Sequence, residues 1–228
     1  MRLISENLGR VKERIHSTAV SSGRDPQDIT MIVISKTRSA DIMNMAIDCG
    51  VRHFGENKIQ EAVPKINDLN KQHSDLTWHM VGHLQTNKAK IAVMNFDMIQ
   101  SVDSIKLARK ISGIAQQIQK NVDILIEVNI SGEESKYGIN PDDVGQINGE
   151  IASLPNINVR GLMTIGPLTL DVADIRNAFR RMRKIFENLQ VRQNNVFNVL
   201  SMGMTDDYEI AIQEGSTMIR LGRAIFGR

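Results

Sequence analysis

Hydrophobic positions along the chain switch repeatedly between two periods. Ile4, Leu8, Val11 and Ile15 recur at helical spacing, and Ser21-Ser22-Gly23-Arg24-Asp25-Pro26 ends the helix they predict. The run 29–35 (ITMIVIS) is nearly continuous, apolar and rich in β-branched residues, as in a strand covered on both faces. Helical spacing returns over 40–49, with Gly50 as its C-cap. Further strands are predicted near 51–54, 77–82, 97–101, 123–130, 158–164, 197–201 and 217–221, and helices near 57–71, 86–94, 104–120, 141–153, 172–193 and 206–214. In 172–193 the residues Ile175, Ala178, Phe179, Met182, Ile185, Phe186 and Leu189 form one apolar stripe. Asp206 with Glu209 three residues on predicts a capping box for the last helix.

Counted from Ile29, eight strands alternate with helices, which implies parallel pairing through right-handed crossovers. Eight such units in about 200 residues predict a single (β/α)8 TIM barrel with an extra N-terminal helix. A doubly wound open sheet is the alternative, but no Gly-rich dinucleotide turn follows the first strand. No linker, repeat or composition shift divides the chain, so residues 1–228 are expected to form one domain.

Composition narrows the function. Hydrophobic residues make up 41% and charged residues 24%, an ordinary globular balance. Twenty-eight basic and 26 acidic residues leave +2 with no basic stripe, so no nucleic-acid partner is expected. The single cysteine, Cys49, forms no intramolecular disulfide and suits a reducing compartment. No apolar run reaches a membrane span and no signal-peptide core stands at the amino terminus; the expectation is a cytoplasmic protein. Asn129-Ile130-Ser131 fits the N-glycosylation pattern, which has no meaning there.

Barrels place their chemistry at the carboxyl ends of the strands. Lys36 follows the first strand. At the mouth of an apolar barrel its ammonium would be partly desolvated, which lowers its pKa and frees the amine as a nucleophile for carbonyl carbon; a loop lysine reaching to water is the plain alternative. The loops after strands seven and eight have the chemistry of a phosphate cradle. Ser201 offers a hydroxyl, Gly203 close backbone approach, and a helix begins near Asp206; Gly222 and Arg223 add small-residue access and a charge. Either glycine could equally make an ordinary turn. A lysine opposite a phosphate cradle is what pyridoxal 5'-phosphate (PLP) requires, since its aldehyde and phosphate lie on opposite sides of one ring. Alternation puts Met218, Arg220 and Gly222 on one face of strand eight. An arginine at the pyridine nitrogen would keep that nitrogen unprotonated and the ring a weak electron sink; pairing with a rim carboxylate is the alternative.

Other signals lead nowhere. His79 and His83 fall in a strand-like run and stand about 13 Å apart, too far to chelate one metal together. The run 132–138 (GEESKYG) lacks the ending of a Walker loop. Neither a metal nor nucleotide hydrolysis is expected.

The blocks Ile34-Ser35-Lys36-Thr37, Phe54-Gly55-Glu56-Asn57, Trp78-His79, Gly82-His83-Leu84-Gln85-Thr86-Asn87-Lys88, Val128-Asn129-Ile130-Ser131-Gly132-Glu133-Glu134-Ser135-Lys136, Gly161-Leu162-Met163-Thr164-Ile165-Gly166, Leu200-Ser201-Met202-Gly203-Met204 and Ile219-Arg220-Leu221-Gly222 resemble the pyridoxal phosphate homeostasis proteins. The resemblance runs from Lys36 to Gly227. It implies a PLP fold-type III barrel like the N-terminal domain of alanine racemase, without a C-terminal β-domain, and an internal aldimine on Lys36. It also implies phosphate contacts from Ser201, Gly203, Gly222 and Arg223, the ring nitrogen at Arg220, and Asn57 beside the ring. Where the family often has Thr or Ser, this chain has Arg223, so a hydroxyl contact is replaced by a charge.

The implied function is to carry or buffer PLP in vitamin B6 and amino-acid homeostasis, as a monomer or weak dimer, with apo PLP-dependent enzymes as partners and no turnover of its own. Racemases of this fold take a second acid/base from another domain, and this chain has nothing left over for one. The alternative is a small PLP-dependent amino-acid racemase or lyase using Tyr137, Tyr208, His83 or a residue from a partner subunit.

Overall fold

In a computed structural model describing residues 2–191 and 196–227, the eight predicted strands close into one parallel barrel in sequence order. They are β1 (Thr30–Ile34), β2 (His53–Glu56), β3 (Thr77–Met80), β4 (Met98–Val102), β5 (Val122–Glu127), β6 (Ile157–Met163), β7 (Val199–Ser201) and β8 (Met218–Leu221). β8 closes on β1 with Thr30 beside Met218 and Val33 beside Leu221. Parallel neighbours need crossovers, and the helices supply them: α2 (Ala40–Asp48), α3 (Ile59–Leu69), α4 (Ala89–Asn95), α5 (Ile105–Gln117), α6 (Val144–Ala152), α7 (Val172–Gln190) and α8 (Tyr208–Gln213). α1 (Arg2–Ser21) precedes the barrel, and α9 (Arg223–Phe226) follows β8.

Two cores result from the alternation of the strands. Ile32, Met98, Leu125, Met163 and Met218 fill the barrel. The opposite face of each strand packs the helices, where Phe54 stacks on Trp78 with ring centroids 5.5 Å apart. Burying side chains of this size contributes roughly 1.5–3 kcal/mol each, which anchors the strands that carry the site.

Several predicted boundaries move. The second strand begins at His53 rather than residue 51, because Gly50 (φ +86°) and Val51 turn out of α2 before pairing with β3 starts at Thr77. β5 stops at Glu127; beyond it Val128 makes an isolated bridge with Ile139. The predicted helix 86–94 divides into a 3-10 turn, Thr86–Lys88, and α4. The end of the predicted helix 172–193, residues 192–193, lies outside the described residues.

The capping box at Asp206 and Glu209 does not form. Asp206 pairs with Arg223 and Glu209 with Arg14 on α1. Asp207 takes the N-cap position instead, and its carboxylate accepts from the Met204 N–H. The short α9 was not anticipated, since four residues give no readable period.

Candidate active site at the carboxyl end of the barrel

The sequence-predicted site residues fall on one arc of the barrel. Lys36 follows β1, Asn57 follows β2, Ser201 ends β7 with Gly203 just beyond, and Arg220 lies in β8 with Gly222 and Arg223 beyond it. In the closed order, β7, β8, β1 and β2 are neighbours.

Lys36 is exposed, so the partial loss of hydration expected at the barrel mouth is not imposed by the protein around it. Its backbone is what the fold fixes. Thr37 holds φ +64°, a left-handed conformation that costs a β-branched residue about 1–3 kcal/mol and persists only where the surroundings impose it. On the other side, buried Ser35 donates its hydroxyl to Glu56 Oε1 at 2.7 Å. Lys65 on α3 donates to that oxygen at 2.8 Å and to the Ser35 carbonyl at 2.9 Å. This Ser35–Glu56–Lys65 brace escaped sequence reasoning, because Glu56 and Lys65 lie on different elements at no diagnostic spacing.

Asn57 is held by close approach. A Cβ on Gly82 would lie 2.3 Å from the Asn57 carbonyl oxygen, so only glycine lets the strand-three loop pass there.

Gly203 has φ +96°, and a Cβ on it would meet the Ala211 Cβ at 2.5 Å. Both constraints demand glycine and press the β7 loop onto α8. Among the described residues, the N–H groups of Gly203, Gly222 and Arg223 donate to no protein acceptor. They form a set of free donors at adjacent strand ends, the chemistry an anion needs. The Arg223 side chain does not add its charge there; it pairs with Asp206 at the surface. Nor does the Ser201 hydroxyl point free into the loop. It is fully buried, donates to Gln100 Oε1 at 2.8 Å and accepts from Arg220 Nη1 at 2.6 Å.

Arg220 is buried inside the barrel, and its second terminal nitrogen donates to the Thr164 carbonyl at 2.8 Å. No carboxylate touches it among the described residues, which sets aside the rim ion pair. Loss of hydration lowers its pKa to about 10, against the longer-range pull of Asp207 and Glu127. It therefore stays a cation and a donor at neutral pH.

A polar chain runs down from Arg220 through the barrel. Past Ser201, Gln100 Nε2 stands 3.1 Å from His79 Nδ1, and His79 Nε2 lies 3.1 Å from His53 Nδ1. With the Gln100 oxygen accepting from Ser201, its amide donates to His79, which makes His79 a neutral donor toward His53. Burial agrees, holding His79 near pKa 3, with His53 adding to the shift. This chain is not readable from the sequence, because Gln100 carries no signal of its own and His79 stands out only by its spacing from His83, which is not its partner here.

On the far side of the mouth, Glu127 ends β5 with 5% of its surface exposed. Burial, with Asp103 nearby, raises its pKa to about 7 although Arg220 pulls it down. His83 Nδ1 lies 3.1 Å from Asp103 and its ring stacks on Tyr137 at 3.7 Å. Tyr208 is buried on α8 with Glu209 and Arg14 as charged neighbours, toward α1.

The family model of the alanine racemase N-terminal domain matches residues 27–228. A pyridoxal phosphate homeostasis protein of Haemophilus influenzae is 39% identical over 225 residues, covering 98% of this chain and 95% of that one. The structure of PipY from Synechococcus elongatus PCC7942 with PLP bound superposes with a TM-score of 0.86 at 35% identity, covering 98% of this chain and all of that one. An alanine racemase of Clostridium difficile shares the fold, with a TM-score of 0.73 at 14% identity, over 57% of its own length. The barrel, the arc of site residues and these relatives agree: the chain belongs to the pyridoxal phosphate homeostasis proteins, within the alanine racemase N-terminal domain family.

Proposed function

We propose that this chain is a cytoplasmic, single-domain protein of residues 1–228 that binds pyridoxal 5'-phosphate covalently through Lys36 and carries it without turnover. PLP is bound in the PipY relative, and the relatives are homeostasis proteins by name. The residues present fit the group. The free N–H donors of Gly203, Gly222 and Arg223 suit its phosphate, Lys36 offers an amine on the next strand, and Asn57 adjoins from β2. The observation that carries the proposal is Arg220, a desolvated guanidinium fixed by Ser201 and Thr164 between the phosphate loops and the lysine.

When bound, PLP supplies an aldehyde for amines and a ring that can draw electrons from them. Arg220 limits the second property. A permanent donor placed at the ring nitrogen would keep that nitrogen an acceptor and the ring a weak electron sink, which favours a carrier over a racemase or lyase. Monomers or weak dimers passing PLP to apo PLP-dependent enzymes complete the proposal. No helix of the described residues is long and apolar enough to cross a membrane.

Exchange of the α-proton of L-alanine in deuterated water, followed by NMR with the PLP-loaded protein, separates carrier from enzyme. No exchange beyond that of free PLP is expected. Steady exchange that depends on Lys36 would overturn the carrier function.

A further inference from the structure

Behind the mouth, a cavity of about 200 Å³ is lined by Glu127, Asn129, Ser135, Lys136, Tyr137 and two aliphatic side chains. Its volume is below the range of drug-sized pockets and suits a smaller ligand. Among the described residues, neither oxygen of the Glu127 carboxyl has a hydrogen-bond partner, and Oε2 is buried. A buried carboxyl without partners is costly and calls for a reason. Alternation with Leu125, which fills the barrel, turns Glu127 inward, and in the closed order β5 lies diametrically across from β1 and Lys36.

We propose that this cavity is a subsite for a primary ammonium group, the α-ammonium of a small amino acid, held by the Glu127 carboxylate across the barrel mouth from Lys36. The charges around Glu127 favour a cation. Asp103 faces it from the end of β4, and Arg220 opposes from β8. The cation lining the cavity is already partnered, since Lys136 holds Glu133 at 2.6 Å and the Gly166 carbonyl at 2.8 Å, and the His83 ring lies against Asp103 at 3.1 Å. Ser135 and Tyr137 line the same cavity with hydroxyls that make no hydrogen bond among the described residues, donors for the carboxylate of the same amino acid. Stacking on His83 fixes the Tyr137 ring.

This subsite deepens the function proposed above, because an amine held here faces the lysine that carries PLP, yet it is testable without PLP. L-alanine is titrated into the PLP-free full-length protein by calorimetry, with lactate, which lacks the amine, as control. Saturable binding of L-alanine and at least tenfold weaker binding of lactate are expected. The Glu127 pKa of about 7 makes the affinity about tenfold weaker at pH 6 than at pH 8, with proton release at pH 7. Glu127→Gln should lose at least tenfold in affinity, and Asp103→Asn should move the pH midpoint down while the protein stays folded. No L-alanine binding, equal binding of lactate, or full affinity in Glu127→Gln would overturn the subsite. Retained L-alanine binding in a protein that forms no PLP adduct would leave the subsite standing and refute the cofactor function instead.

Discussion

Two glutamates end barrel strands, Glu56 on β2 and Glu127 on β5; both are buried with Oε2 unpartnered among the described residues, but they differ at the other oxygen. Glu56 meets an ammonium and a hydroxyl on one oxygen, Lys65 at 2.8 Å and Ser35 at 2.7 Å. Glu127 meets neither, and burial with a like charge nearby carries its pKa to about 7. The first carboxylate is part of a brace that sets the backbone before Lys36. The second has kept its hydrogen-bonding capacity for something that is not protein. Burial alone does not say which role a carboxyl plays; the partner set does.

Removing the partner of Glu56 should have the largest effect. Lys65→Met leaves the buried Glu56 carboxyl without its countercharge and with only the Ser35 hydroxyl on it, and about 3–5 kcal/mol of stability should disappear in urea unfolding at pH 7. An unchanged midpoint would show that the brace is incidental. The mirror experiment at β5 should have the opposite sign. The folded pKa of Glu127 lies above its ordinary value of 4.5, so its contribution to stability is full below about pH 4.5 and is lost as pH rises through about 7. Glu127→Gln should remove that loss and make the protein more stable at pH 8, by about 3 kcal/mol from a shift of this size. Equal stability of the two proteins across pH 5–8 would contradict the environment described for Glu127.

A smaller effect is expected in the polar chain below Arg220. Ser201→Ala removes both hydrogen bonds of that hydroxyl and should cost about 1–2 kcal/mol in the same unfolding assay. It should also change the absorption of bound PLP, since Arg220 loses one of its two anchors, and Ser201→Thr should restore the spectrum. A spectrum identical in all three proteins would mean that Ser201 does not position Arg220.

Much of this was legible in the sequence where a residue's neighbours along the chain decide its fate. The β-branched run 29–35 became β1, and alternation from Met218 placed Arg220 inside the barrel. Lys36, Gly203 and Gly222 could be located because barrels put chemistry after their strands. What remained hidden depends on partners distant in sequence. Gln100 joins Ser201 to His79 across the interior, and Lys65 reaches Glu56 from another element. The positive φ of Thr37 carries no signal, since threonine is not a residue that seeks that conformation. The burial of Glu127 was masked by its apolar neighbours Ile126 and Val128, which read as any strand does.

In the proposed function Lys36 holds PLP. Borohydride reduction of the PLP-loaded protein, with peptide mass mapping and Lys36→Ala as control, tests it directly. The visible absorption band should vanish on reduction, the reduced adduct should map to Lys36, and Lys36→Ala should lose most of the bound cofactor. A colourless protein, or an adduct absent from Lys36 in the unaltered chain, would contradict it.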